Sequence, residues 1–399
     1  MKKLALRFAL NLQLFGAAID NDDAGALIPE QEVKEIFKAV AQTSVVFQAL
    51  RRLPNMSSKQ IRIKVEDSLP LIYWQSSSTA RKKLTKMAWK NKYIVAEELA
   101  VIIPISEQIL DDAEYDIWGE IRPKLVEAIA NKVDAAVLFG DDKPASFPDG
   151  LVESARKTGH VVAKTGSETF YALISDAMGL VEGDGYDVNA IVGGPSLKKR
   201  FRDMVDTTGR PLGTDNEIAA LPRYVLKNGA WDETKAGALV GDFKEAVFSV
   251  RQDVEYKLLT EGVIQDPSDG SIIYNLGQQD MVALRVTFRM GWQLPNPVNR
   301  IQPDEAGRLP LAVLATSANT INLTLNPGSA TTFDDSIQVS AKADVYGAKI
   351  YYTADGSDPT TSSTEYTEPL TASATTTYKF LAVKAGYNNA SKSVTVTKA

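Results

Sequence analysis

Near residue 304 the chain changes its hydrophobic period, so at least two separately packed parts have to share it. Upstream, apolar residues recur three or four apart in some stretches and two apart in others, the pattern of a charged, mixed α/β body. Downstream, a Thr/Ser-rich stretch surrounds Tyr351-Tyr352-Thr353-Ala354-Asp355-Gly356-Ser357-Asp358-Pro359-Thr360 and alternates with period two. Ile337 with Val339, Ile350 with Tyr352, Tyr378 with Phe380 and Val394 with Val396 each set an apolar pair on one strand face. Turn residues between these pairs predict a β-sandwich.

Composition narrows the function. A chain of 399 residues holds two or three domains, each with a core of its own. A net charge of −6 gives no global sign of a nucleic-acid binder and leaves only local contact. Without cysteine the chain forms no disulfide, thiolate metal site or cysteine nucleophile. The single histidine, His160, removes most histidine chemistry and, beside Gly159, reads as an exposed loop residue. No stretch approaches the ~20 apolar residues of a membrane span. Met1-Lys2-Lys3-Leu4-Ala5-Leu6-Arg7-Phe8 has the outline of a signal peptide, but Arg7, Asn11 and Gln13 interrupt its apolar core. An amphipathic arm that docks on a partner fits better.

Residues 17–26 form a small acidic hinge, and Pro29 opens a helical pattern through Val33, Ile36, Phe37 and Val40. Ile61, Ile63 and Val65 alternate with Arg62 and Lys64, and after a polar tip at Gln75–Thr79 the chain returns through Lys-rich sequence into Tyr93-Ile94-Val95. This predicts a long two-stranded excursion, which is marginal alone in water and needs support from elsewhere. Ala100–Ile105 reads as a buried strand. Ser106 then caps a helix running to Phe139, which Pro123 is expected to kink or divide. From 150 to about 265 helices and strands alternate, Met281–Met290 closes the body as a strand, and Arg300–Ala315 reads as a Pro/Gly-punctuated linker.

No motif carries chemistry. Gly193-Gly194-Pro195 lacks the spacing of a phosphate loop and reads as a tight strand-to-helix turn. Asp141-Asp142, Asp184 with Asp187, and Asp355 with Asp358 have no full cation-loop spacing and read as turn aspartates. The basic run of Arg81, Lys82, Lys83, Lys86, Lys90 and Lys92 contains no acidic residue. It is open to three readings: a solvated strand face, docking on the acidic surface of an adjacent copy around Asp111, Asp112 and Glu114, or nucleic-acid contact. No catalytic, cofactor-binding or metal site emerges.

Taken in order, these motifs resemble the major capsid proteins of tailed bacteriophages with the Hong Kong 97-type fold, over roughly residues 4–304. Asn11-Leu12-Gln13-Leu14-Phe15-Gly16 is similar to a leader of that family. Arg51-Arg52-Leu53-Pro54, Trp74 and Trp89-Lys90-Asn91 resemble its extended hairpin, the E-loop. Val101–Glu107 and Leu110-Asp111-Asp112 lead into what resembles its spine helix, and Leu138–Asp141 with Pro148–Leu151 its exit. Gly241-Asp242-Phe243 and Val282–Arg285 resemble late motifs. The tail resembles the immunoglobulin-like C-terminal module of chitobiase and β-hexosaminidase-type proteins, through Ile350–Thr353, Asp355–Thr360 and Tyr366.

The resemblance implies an α+β fold: an N-terminal arm (1–25) and a capsid body (26–304), then a linker (305–317) and an all-β immunoglobulin-like sandwich (318–399). Within the body the E-loop spans about 58–96, the P-domain with its spine helix about 97–149 and 266–304, and the A-domain about 150–265. It implies a non-enzymatic subunit of hexamers and pentamers in an icosahedral shell around double-stranded DNA, in a virion assembled in the bacterial cytoplasm. A separate scaffolding protein and a portal are its partners. The E-loop lies across a neighbouring subunit, which makes Arg81, Lys82, Lys83, Lys86, Lys90 and Lys92 intersubunit contacts. Some relatives crosslink by a Lys–Asn isopeptide bond; Asp280 and Thr287 stand where the asparagine and glutamate belong, which implies non-covalent maturation. The module is expected on the outer surface as a steric or stabilising ornament. Tyr351, Tyr352 and Tyr366 are either a platform for host cell-surface glycans or core residues. An encapsulin-type compartment and a secreted carbohydrate-active or glycan-adhesion protein are the rival readings.

Overall fold

The computed structural model describes residues 39–75, 81, 82, 84–112, 117–163, 168–205, 217, 218, 221–315 and 319–399. The expected N-terminal arm, the acidic hinge, most of the first helix, the hairpin tip at 76–79, Lys83 and Glu114 lie outside them.

Along the body, α1 (Val45–Ala49) and β1 (Arg51–Arg52) precede the hairpin strands β2 (Gln60–Ser68) and β3 (Ala88–Val95). Next come β4 (Glu97–Ser106), α2 (Glu107–Asp112), α3 (Ile117–Leu138), α4 (Leu151–Thr158), β5 (Val161–Ala163) and α5 (Phe170–Gly183). Then follow β6 (Ala190–Gly193), α6 (Ser196–Arg202), β7 (Glu217–Ile218), β8 (Leu221–Val225) and β9 (Ala238–Gly241). The body closes with β10 (Val247–Leu259), β11 (Val263–Gln265), β12 (Ile272–Asn275), β13 (Met281–Gln293) and β14 (Leu311–Ala315).

Compactness divides the chain into two units, with α3, β10 and β13 passing from one to the other. The first holds Glu98–Val126 and Gln252–Arg289. There β10, β13 and β4 lie side by side in that order, and β11 pairs antiparallel with β12. The Glu107 amide, which opens α2 directly after β4, donates to the Asp280 carbonyl at 2.9 Å. The apolar run expected to be a buried strand leaves Val101 and Ile102 exposed in β4, since a run of hydrophobic residues does not reveal whether a second layer covers it. Pro123 lies inside a continuous α3 and does not divide it: its place in the second turn costs one backbone hydrogen bond, which 22 residues of helix absorb.

The second unit holds Val40–Glu97, Glu127–Arg251 and Met290–Ala399. Its centre is a six-stranded sheet in the order β5-β14-β9-β6-β8-β7. Ile174, Ala177 and Val181 of α5 and Leu197 and Phe201 of α6 pack on Ile191, Val240, Ala312 and Leu314 of that sheet. Gly193-Gly194-Pro195 is the turn from β6 into α6, and a Cβ on Gly194 would strike the Trp231 ring at 2.5 Å. Asp134 of α3, fully buried, accepts from the Ser44 hydroxyl (2.6 Å), the Val46 amide (3.1 Å) and Asn228 Nδ2 (2.8 Å), so it fastens the start of α1. Burial pushes its carboxyl above the ordinary range, with those donors acting against the shift.

The stretch expected to be a linker is not one throughout. Leu311–Ala315 is the buried strand β14, parallel to β5 (Val313↔Val161) and antiparallel to β9 (Val313↔Leu239). Pro310 and Gly307 shape the approach to this strand, and its partners lie far away in sequence, which local punctuation does not reveal.

Beyond it, β15 (Asn319–Thr320), β16 (Leu323–Asn326), β17 (Thr331–Phe333), β18 (Ile337–Ala343) and β19 (Lys349–Thr353) begin the module. It continues with β20 (Thr364–Glu365), β21 (Leu370–Ala372), β22 (Thr376–Val383), β23 (Tyr387–Asn388) and β24 (Ala390–Lys398). A three-stranded sheet β16-β18-β21 and a five-stranded sheet β17-β24-β22-β19-β20 make the all-β module, with Val339, Ile350, Phe380, Val394 and Val396 buried as the alternation predicts.

Candidate functional site

Two surfaces of the second unit separate what the chain satisfies internally from what it presents. The first is the hairpin. β2 and β3 pair antiparallel from Gln60↔Val95 to Ser68↔Ala88, with a bulge near the outer end. At its base Ile61 and Ile63 pack with Met56 and Ile94, and toward the outer end the Val298 amide donates to the Glu66 carbonyl (3.1 Å). A Cβ on Gly291 would collide with the Val95 carbonyl, so only glycine allows this close approach. Further out, several described apolar side chains of the hairpin stand open to solvent: Ile72 is 90%, Trp74 102% and Leu84 88% exposed, and Leu71 and Trp89 more than half.

The six basic residues do not act as one surface. Arg81, Lys82 and Lys86 are exposed, and Lys83 lies outside the described residues. Lys90 and Lys92 turn inward instead: both ion-pair with Glu305, Lys92 at 2.8 Å, and Lys92 also donates to the Leu294 carbonyl (3.1 Å). Burial opposes the Glu305 charge, but these two lysines outweigh it and hold its carboxyl below the usual range. Strand alternation, which puts Lys90 and Lys92 on one face, was the available signal for this split. Trp74, part of the resemblance to the extended hairpin, is joined before the tip by the apolar Leu71 and Ile72, which the charge pattern does not single out.

The second surface is the seat of the module on α4. Arg156 donates to both oxygens of Glu153 (2.9 Å each), to Asp344 Oδ2 (2.7 Å) and to the Thr320 carbonyl (3.2 Å). Its own carbonyl accepts from the Tyr387 hydroxyl at 2.6 Å, and the Tyr346 amide donates to the Lys157 carbonyl at 2.7 Å. The Tyr346 ring lies so close to Gly307 that a Cβ there would meet its Cε1 at 2.5 Å. Asp344 is pushed up by burial and pulled down further by Arg156 and Asn322, so its carboxyl titrates below the ordinary range.

Under this seat lies His160, which is not the exposed loop residue its neighbour Gly159 suggested. It is 6% exposed, with Nδ1 3.2 Å from the Leu311 carbonyl and Nε2 3.2 Å from Asp184 Oδ2. Asp184 also accepts from the Leu309 amide (2.8 Å), so both side chains fasten the approach to β14. Burial depresses His160 and raises Asp184.

Tyr351, Tyr352 and Tyr366 do not share one surface. Tyr352 and Tyr366 pack edge-to-face at 6.4 Å and both contact the buried Phe380, while the Tyr366 hydroxyl accepts from the Ala341 amide (3.1 Å). Tyr351, next to Tyr352 on β19, points to the opposite face of its sheet. Among the described residues no group of three acidic or histidine side chains gathers as a metal site, and no helix is long and apolar enough to cross a membrane.

A family model described as the phage capsid family matches residues 24–301, and one described as the chitobiase/β-hexosaminidase C-terminal domain matches residues 327–395. Over 259 residues the chain is 27% identical to the major capsid protein of Staphylococcus phage 80alpha, covering 64% of this chain and 78% of that protein. Among solved structures, a chain from Microbacterium phage Oxtober96 is 33% identical with a TM-score of 0.61, covering 75% of this chain and 99% of that one. A chain from Mycobacterium phage Adephagia is 28% identical with a TM-score of 0.62, covering 75% and 98%. With that match across most of its length and the fold those phage chains share, the chain belongs to the phage capsid family.

Proposed function

We propose that the chain is the shell-forming subunit of a phage head, assembling into hexamers and pentamers of an icosahedral shell that encloses double-stranded DNA. The observation that carries this reading is the projecting hairpin. Ile72, Trp74 and Leu84 spend large apolar surface on water, which a monomer has no reason to maintain. A second copy of the chain that covers them supplies the missing burial. Arg81, Lys82 and Lys86 rim the same contact and remain free for acidic groups on the neighbour, whereas Lys90 and Lys92 set the hairpin's base. Assembly in the host cytoplasm, with a scaffolding protein and a portal as partners, follows from this reading. With Asp280 in place of an asparagine, the contacts mature without an isopeptide bond. The module sits on the outer face as a docked ornament, and only Tyr351 of its three tyrosines stays available to a glycan. Electron cryo-microscopy of the full chain and of a chain lacking residues 318–399 tests the reading: closed shells with knobs that vanish on deletion support it. A monodisperse monomer with and without scaffold sinks it. Protein cargo in place of DNA would favour the compartment reading.

A further inference from the structure

The strongest unassigned feature is a cavity of about 690 Å³ in the second unit, between α1, α6 and β8. Lys198, Arg202, Arg223 and Lys227 line it, and among the described residues Glu127 is its one acidic lining residue. Helix α6 divides its own charges: Lys199 pairs with Asp203 (3.2 Å) and Arg200 with Glu233 (3.8 Å). Lys198 and Arg202, one turn apart on the face toward the cavity, form no ion pair among the described residues, and neither do Arg223 and Lys227. Like charges at this spacing weaken a helix. An arrangement that keeps four cations and, among the described residues, one carboxylate around one concavity, with Arg223 also stacked 5.0 Å from the Phe201 ring centre, therefore suits a multiply charged anion from outside the chain. Among the described residues Val45, Tyr224 and Val225 are the lining's less polar side chains, so charged and hydrogen-bonding groups make up most of it. Gln42 adds an uncharged hydrogen-bonding side chain of the kind that accompanies cations at sugar-phosphate backbones.

We propose that this cavity receives the phosphodiester backbone of the duplex inside the shell, without reading its sequence. The occupant rests on the shell reading above, and it puts this face of the subunit toward the interior. The test is fluorescence anisotropy of the full-length chain with a short labelled DNA duplex across a salt series. A labelled polyglutamate peptide serves as the competing anion. The variant Lys198→Gln/Arg202→Gln changes exposed side chains and leaves the fold intact. Lys199→Gln/Arg200→Gln removes equal charge from the same helix. Each lost phosphate contact reduces the slope of log affinity against log salt by about 0.9, so the cavity variant loses about 1.8 while the control keeps the wild-type slope. Equal slopes in both variants, or tighter binding of polyglutamate than of duplex at the same salt, overturns the proposal. Microscopy of the wild-type particles reads out shell formation separately, so failure of the shell reading is not confused with failure of the cavity.

Discussion

Replacing Arg156 by methionine keeps the aliphatic stem and removes the charge that joins α4 to the module. Of its four side-chain bonds, the two to Glu153 stay within the body; those to Asp344 (2.7 Å) and the Thr320 carbonyl (3.2 Å) cross to the module. The Arg156 and Asp344 side chains are 13% and 25% exposed, which places their bond toward the lower end of charged hydrogen bonds, about 1.5 kcal/mol. The exposed Thr320 carbonyl adds about 0.5 kcal/mol, for a total near 2 kcal/mol. The Tyr346 amide, which donates to the Lys157 carbonyl across the same seat, exchanges with solvent when the seat opens and so reports its free energy. Native-state hydrogen exchange of the peptide containing Tyr346 should accelerate about 30-fold in Arg156→Met. Lys157→Met is the control: its pairs with Asp149 (2.6 Å) and Glu153 (3.8 Å) stay within the body on a half-exposed surface, so acceleration stays below about 3-fold. Unchanged exchange in Arg156→Met, or equal acceleration in both variants, would refute the idea that this guanidinium fastens the module.

Asp344 titrates below its ordinary value of 3.8, so the stabilisation it gives is complete above that value and is lost as pH falls through the lower folded value. The protection factor of Tyr346, which is its exchange rate divided into the intrinsic rate at each pH, should therefore hold steady from pH 7 to about pH 4 and fall beneath it; a fall that begins near pH 6 would contradict this. The lone imidazole of His160 gives one assignable resonance, and burial sets its midpoint below the ordinary 6.5 against the pull of the Asp184 carboxylate; a midpoint at or above that value would mean that the Asp184 charge outweighs burial. Asp134→Ala strips the Ser44 hydroxyl, two backbone amides and Asn228 of their acceptor in a fully buried place. A loss of about 3 kcal/mol in denaturant unfolding is expected, and a loss under 1 would show that water replaces the carboxylate. Trp74→Ala should abolish closed shells while leaving subunit stability within about 0.5 kcal/mol, as its full exposure requires; normal shells from this variant would remove the hairpin contact from the assembly argument.

Much of this architecture was legible because it rests on local periodicity. The alternation of Ile61, Ile63 and Val65 fixes which hairpin face meets Met56 and Ile94, and the apolar pairs of the module face inward as their spacing predicts. What escaped depends on partners distant in sequence. Leu311–Ala315 looks like a linker until β5 and β9 are known to flank it, and His160 looks exposed until Leu311 and Asp184 close over it. Charge misled in the same way: Lys90 and Lys92 belong to a basic run on paper, but their counter-ion Glu305 lies more than two hundred residues onward. No spacing rule relates such residues; only the folded sheet does.

The placement of β14 has a mechanical side. A strand hydrogen-bonded on both edges, parallel to β5 and antiparallel to β9, carries the module into the body. A pull directed along that strand loads the bonds on both edges together in shear, whereas a tether would peel away one bond at a time. Any force applied to the module would then be transmitted into the six-stranded sheet itself. The attachment would yield only when that sheet does.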